Sequence, residues 1–193
     1  MNVEENLERA LVRLQADLDA LKIRWAVVGG LAGIMHGTKR FTEDLDVAVV
    51  VVEGEASDRL IRNLRERNYR HLPGRPLFHD DEPLRELRFR SPEGVRVDLI
   101  LDWSGIELET VDSAEAVVRG SITVPVCRAE YFLALKVHAG RDKDLGDVRE
   151  LLKILEPAEV LRARDLLDRI ARKTSANRTV LQRRLSKLIA EQE

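Results

Sequence analysis

The chain has 193 residues, which suits one domain of moderate size or a compact domain with a helical appendage. Apolar residues make up 44% and charged residues 34%, so the chain is expected to fold and to carry a heavily solvated surface. The formal net charge of -2 excludes a chain-wide field for nucleic acid or membrane and confines any such surface to a local patch.

The single Cys127 excludes an internal disulfide framework and suits a reducing cytoplasm. The segment MNVEENLERALVRLQ is acidic and amphipathic, unlike a secretory signal, and no apolar run reaches membrane-spanning length. In that first segment Leu7, Leu11, Leu14, Leu18 and Leu21 alternate in steps of four and three, one stripe of a helix. The stripe is expected to pack on the chain's own core, with a dimer seam as the other use, so the chain is read as a monomer or homodimer.

IRWAVVGG reads as a short buried strand ending in a tight turn, LAGIMHG as a short helix, and DLDVAVVV as a second strand rich in β-branched residues. SDRLIRNLRERN has helical spacing. His71 to Glu86, rich in proline and glycine, is a candidate acceptor-binding or lid segment. ELRFRS and VRVDLILD form an antiparallel pair across the turn SPEG. SAEAVVRG is expected to be helical, and ITVPVC to be an edge strand because of Pro125. From Arg128 onward four segments in succession show helical periodicity, the third opening with Pro157. The reading is an α+β fold: a mixed or antiparallel sheet with flanking helices over residues 1–128, then a helical bundle over residues 129–193.

Side chains alternate across a strand, so Asp44 and Asp46 share one face. Two carboxylates that close repel unless a positive charge stands between them. A divalent ion such as Mg²⁺, which takes one or two carboxylates plus phosphate oxygens, meets that need. Asp98 sits mid-strand among apolar neighbours, where an unpaired charge is costly, and pointing it into the same site removes the difficulty. Asp102, at the strand's end, reads as a surface or capping residue. Gly29 and Gly30 close a strand and open a helix, a turn that lets backbone N–H groups approach a phosphate. Neither the dinucleotide-binding nor the P-loop glycine pattern is present. His36 reads as structural, and Trp25 and Trp103 as core residues.

The order strand, Gly-Gly, short helix, Asp-x-Asp strand and later Asp resembles the nucleotidyltransferase superfamily that includes DNA polymerase β. Gly29, Gly30, His36, Gly37, Arg40, Thr42, Asp44 and Asp46 stand at the positions of a signature of its small bacterial members. LALKVHAGRDKDLGDVREL is similar to a second signature, of the abortive-infection (AbiEii-like) nucleotidyltransferase toxins, carried here by Lys136, Arg141, Lys143, Asp144 and Asp147. The resemblance implies transfer of a nucleoside monophosphate from a nucleoside triphosphate to an acceptor hydroxyl, with pyrophosphate released. It implies that Asp44, Asp46 and Asp98 bind Mg²⁺ or Mn²⁺, with Asp98 also helping to deprotonate the acceptor. Gly29, Gly30, Arg40, Thr42, Lys136 and Lys143 would hold the triphosphate. RNA (transfer RNA included), protein or a small molecule is the acceptor, and an antitoxin is a possible partner. The alternative is a non-catalytic nucleotide-binding, antitoxin or regulatory module on the same fold.

Overall fold

The computed structural model describes residues 3–51, 55–72, 86–101, 105–120 and 122–192. The readings made for Asp102, Trp103 and residues 73–85 of the proline-rich segment lie outside the described residues. The described chain runs α1 (Val3–Ala20), β1 (Arg24–Val27), α2 (Gly29–Met35), β2 (Asp44–Val50), α3 (Glu55–Glu66), β3 (Arg70–Leu72), β4 (Glu86–Arg90) and β5 (Arg96–Ile100). It continues through α4 (Glu107–Asp112), β6 (Glu115–Arg119), β7 (Ile122–Val126), α5 (Ala129–Ala139), α6 (Asp142–Leu152), α7 (Pro157–Lys173) and α8 (Arg178–Ala190).

The seven strands form one mixed sheet in the order β3-β4-β5-β2-β1-β7-β6. β2 runs parallel to β5 and β1 meets β7 in parallel, while the remaining neighbours are antiparallel. Helices follow one another from Ala129 onward. The expected α+β architecture with a helical C-terminal region is therefore the observed one.

One apolar cluster runs from α1 through the sheet to α8. The α1 stripe enters it: Leu7, Leu11, Leu14 and Leu18 are buried and Leu21 packs at its edge. Each fully buried leucine contributes about 1.5–3 kcal/mol relative to an exposed one, which fixes the helix on the sheet. Leu45, Val47 and Val49 of β2 join Val97 and Leu99 of β5 and Leu87 and Phe89 of β4 on the core side. The period-2 pattern thereby turns Asp44, Asp46 and Asp98 to the opposite face.

Two expectations are corrected. Glu115–Arg119 is a strand and not a helix, paired with β7 through a turn at Gly120, whose φ of +58° suits glycine. β7 is an inner strand and not an edge. Pro125 is tolerated there because β1 meets β7 only at Val27↔Val126, just beyond the proline, with Cys127 N donating to the Val27 carbonyl.

Candidate active site

The carboxylates lie on adjacent strands in parallel register. Asp46 pairs with Asp98 and Asp44 with Arg96. Opposite Asp98 on β4 stands Arg88. Each oxygen of Asp98 meets a guanidinium: Arg88 Nε lies 3.0 Å from Oδ1 and Arg96 Nε 3.2 Å from Oδ2. Arg96 also pairs with Asp44, whose other oxygen accepts from the Thr42 hydroxyl at 2.7 Å. Arg88 reaches Glu86 as well, at 2.6 Å.

Among the described residues no arginine pairs with Asp46. Its Oδ2 accepts from the Gly30 N–H at 3.3 Å. Burial, then the charges of Asp44 and Asp98, push its carboxyl above the ordinary carboxylate range, while the Gly30 N–H and the Lys136 charge offset only part of this. Asp98 is also pushed up, by burial and Glu86 against the pull of Arg96 and Arg88. Asp46 is thus the one of the three carboxylates that no described cation pairs with directly. The donor set, all carboxylate oxygens, has the hardness that Mg²⁺ selects. Among the described residues no three acidic, histidine or cysteine side chains converge on one point, since Arg96 and Arg88 hold Asp44 and Asp98.

Gly29 and Gly30 pack directly on these groups. Gly29 has φ +59°, and a Cβ there would come within 1.9 Å of Asp46 Oδ2. A Cβ on Gly30 would come within 2.7 Å of the Thr42 hydroxyl and 3.0 Å of an Arg40 guanidinium nitrogen. Both positions therefore demand glycine for space, and the first also for backbone conformation. Arg40 Nη1 bonds Asp147 on α6 at 2.5 Å, so this guanidinium links the Gly-Gly turn to the C-terminal helices.

The second group of charged residues is built differently. Lys136 on α5 is buried and its ammonium meets Asp144 at 3.0 Å and Asp147 at 2.9 Å, 5.4 Å from the Phe132 ring centroid. Gly140, with φ +64°, ends α5 and allows the chain to turn into α6 so that these groups meet. Arg141 closes over Asp144 with bonds of 2.5 and 3.3 Å. Burial pushes the Asp144 carboxyl up, but hydrogen bonds from Arg141 and Lys136 outweigh it and hold the group below its ordinary range. The Arg141 guanidinium is held above its ordinary range, first by its hydrogen bond to Asp144 and in smaller part by the charges of Asp46 and Glu86.

Lys143 is exposed in the first turn of α6. With Lys39, Arg40, Asp147 and Lys153 it lines a cleft of roughly 780 Å³ between the α2–β2 segment and α6. His36 Nε2 donates to the Cys127 carbonyl at 2.7 Å and ties α2 to the end of β7. The Cys127 thiol is pushed up to about 12 by burial, so it is no nucleophile at neutral pH. Sequence reasoning passed over Arg88 and Arg96 as site residues. Arg96 was nonetheless on the same strand face as Asp98, and pairing ELRFRS with VRVDLILD brings Arg88 opposite it.

This sheet, with its Gly-Gly turn pressed against an Asp-x-Asp strand, is the nucleotidyltransferase fold. It is similar to an antigenic nucleotidyltransferase-like protein from Paracoccidioides brasiliensis, with a TM-score of 0.50 and 18% identity over 92% of this chain and 91% of that one. It is similar to the antibiotic-resistance factor ANT(2'')-Ia, with a TM-score of 0.58 and 14% identity over 89% and 95% of the two chains. The lincosamide antibiotic adenylyltransferase LnuA, solved with lincomycin bound, matches with a TM-score of 0.50 and 15% identity over 77% and 98%. No curated protein matches in sequence. The family described as the nucleotidyl transferase AbiEii toxin of a type IV toxin–antitoxin system matches residues 9–192. The chain belongs to that family and is a nucleotidyltransferase.

Proposed function

We propose that the protein transfers a nucleoside monophosphate from a nucleoside triphosphate to a hydroxyl of RNA, protein or a small molecule. The observation that carries this reading is the buried Asp46 carboxylate, without a cation partner among the described residues, opposite Asp98, next to Asp44 and against the backbone of Gly29 and Gly30. Asp44, Asp46 and Asp98 would hold Mg²⁺ or Mn²⁺. A bound divalent cation supplies neutralisation of the attacking and leaving oxygens.

The chain's own groups do the rest. Gly29 and Gly30 let Asp46, Thr42 and Arg40 close on the turn whose backbone would meet the phosphates, and Thr42 fixes the rotamer of Asp44 through its 2.7 Å bond. Arg40 and the exposed Lys143 line the cleft beside them and neutralise the triphosphate tail. Lys136 adds positive potential at Asp46 and holds α6 in place through Asp144 and Asp147. Asp98, with its raised pKa, accepts the proton of the acceptor hydroxyl as that oxygen bonds to the α-phosphorus. The bond from the α-phosphorus to the bridging oxygen breaks and pyrophosphate leaves. Positioning and charge carry such a transfer, so no activated serine or cysteine is needed.

The family's description supports a role as a toxin countered by an antitoxin. Among the described residues no helix is long and apolar enough to cross a membrane, and we place the activity in the cytoplasm. The test is incubation with Mg²⁺ or Mn²⁺, each labelled triphosphate in turn, and RNA, protein and small hydroxyl acceptors. Label transfer that Asp46→Ala abolishes is the expected result. Triphosphate binding with no transfer to any acceptor would instead support the non-catalytic binding module.

A further inference from the structure

The sheet ends on one side in β6. This strand pairs with β7 one residue to one, from Glu115↔Val126 to Arg119↔Ile122, with no bulge, and among the described residues no strand pairs with its outer side. A free edge presents unpaired N–H and C=O groups, and soluble proteins blunt such edges with lysine, proline, a bulge or a covering element. β6 reads EAVVR and has none of the first three. Nor is it covered, since Glu115, Ala116 and Val118 are exposed. Val118, at 74%, is the most exposed of the large apolar side chains among the described residues. An uncovered edge with an apolar, β-branched centre is made to take another strand.

The charges at its two ends select which strand. Glu115 and Arg119 lie on one face of β6, with Val117 midway between them. Let a second copy of β6 lie antiparallel to the first, about a two-fold axis at Val117. Glu115 of each copy then stands opposite Arg119 of the other, and Ala116 opposite Val118. Both charged pairs are of opposite sign, which stabilises cross-strand neighbours. A parallel alignment would instead set Glu115 against Glu115 and Arg119 against Arg119, and a slip of one residue would set Glu115 against Val118. Within the chain both groups are loosely held. Arg128 Nε lies 3.4 Å from Glu115, and Arg119 lies 3.8 Å from Glu4, with the two glutamate side chains 65% and 71% accessible. Ion pairs this exposed contribute little and give way readily to a new partner.

We infer that β6 is a dimer contact, through which two copies of this chain join edge to edge into one sheet continuous across a two-fold axis. The contact is isologous, so it covers the free edge of both copies at once and closes without room for a third. Ala116 and Val118 of the two copies meet on the face they share with Thr123 and Pro125 of β7. The seam lies away from the chemistry, because β1 and β7 separate β6 from the Asp44–Asp46 strand. Both active sites therefore stay open in the dimer.

The test is sedimentation velocity of the full chain without nucleotide, up to its highest soluble concentration. A monomer–dimer equilibrium is expected. Glu115→Arg and Arg119→Glu are each expected to weaken association about tenfold or more, because each creates two like-charge pairs per dimer. Mixed in equal amounts, the two variants are expected to associate as tightly as wild type, since each change then meets its opposite across the axis. The double variant Glu115→Arg/Arg119→Glu likewise dimerises with itself. These rescues do not follow from damage to the fold. Val118→Lys, a change at an exposed position, is expected to be monomeric and to melt as wild type does. A wild type that is monomeric at every concentration overturns the inference, and so does growth beyond the dimer. Single variants that associate like wild type, or a mixture no tighter than either variant alone, overturn it as well. The readout needs no triphosphate, so it stands or falls separately from nucleotidyl transfer.

Discussion

The chain carries two clusters of acids and bases, one on the sheet and one on α5 and α6, and they are built to opposite ends. On the sheet, burial and then the charges of Asp44 and Asp98 push the Asp46 carboxyl up, and among the described residues no cation pairs with it, only the Gly30 N–H at 3.3 Å. On α5 and α6, Asp144 is fully buried yet held down, because Lys136 and Arg141 supply its hydrogen bonds. Burial is common to both; satisfaction is not. A buried carboxylate with its cations in place serves the architecture. One left under-neutralised stores a demand for a ligand, and it is the stronger pointer to chemistry.

The sharpest way to break this contrast is Asp46→Asn. The amide oxygen can still accept from Gly30, while the charge that burial and its neighbours oppose is gone. Nucleotidyl transfer is expected to fall about a hundredfold or more, a loss of at least about 2.7 kcal/mol of transition-state stabilisation. The melting temperature is expected to rise, by about 2–4 °C for each kcal/mol of repulsion removed. Parallel transfer assays and calorimetry read both effects. A variant that melts lower would show Asp46 to be structurally satisfied and would erase the distinction between the clusters.

Asp144→Asn examines the other side. Removing one partner of a buried pair is expected to cost about 3 kcal/mol, and so to lower the melting temperature by about 6–12 °C. The effect depends on pH with a definite sign. The folded carboxyl titrates below the ordinary carboxylate value of 3.8, so its contribution is full above that value and is lost as pH falls through the folded pKa. The gap between wild type and variant, followed by thermal melts down a pH series, is expected to close in acid. A gap constant across that series would mean that the carboxylate's charge contributes nothing.

How far each cluster could be read from sequence follows from how local its contacts are. Period 2 alone puts Asp44 and Asp46 on one face, and Asp98 on the same face as Arg96. That β2 and β5 are parallel neighbours was not legible, because fifty residues and three other elements intervene. The ring of acids around Lys136 was half legible. The signature contains the residues, but a lysine after an apolar run reads equally as a phosphate ligand until the left-handed Gly140 brings α6 round to it. Glu115–Arg119 was misread because Ala116, Val117 and Val118 are all apolar, so the sequence hides the alternation of half-buried and exposed positions that the edge strand has. The Gly-Ser pair that follows was the better signal for a hairpin. Pro125 misled because the rule against inner prolines applies only where its missing N–H would be used.

The smallest expected effect tests whether ion pairs as such matter on this helix. Glu150 on α6 and Lys153 just past its end, at the rim of the cleft, approach to 2.6 Å, as short as several contacts in the two clusters. The pair is solvent-exposed, with 54% of the lysine side chain and 37% of the glutamate accessible. Water already solvates both groups, and fixing two long side chains offsets the modest attraction. Glu150→Gln is therefore expected to leave the melting temperature unchanged within error, in low and high salt alike. A clear destabilisation would show that short distance, rather than burial and completeness of partners, decides which charges hold this fold together. Asp144 and Asp46 would then differ in degree rather than in kind.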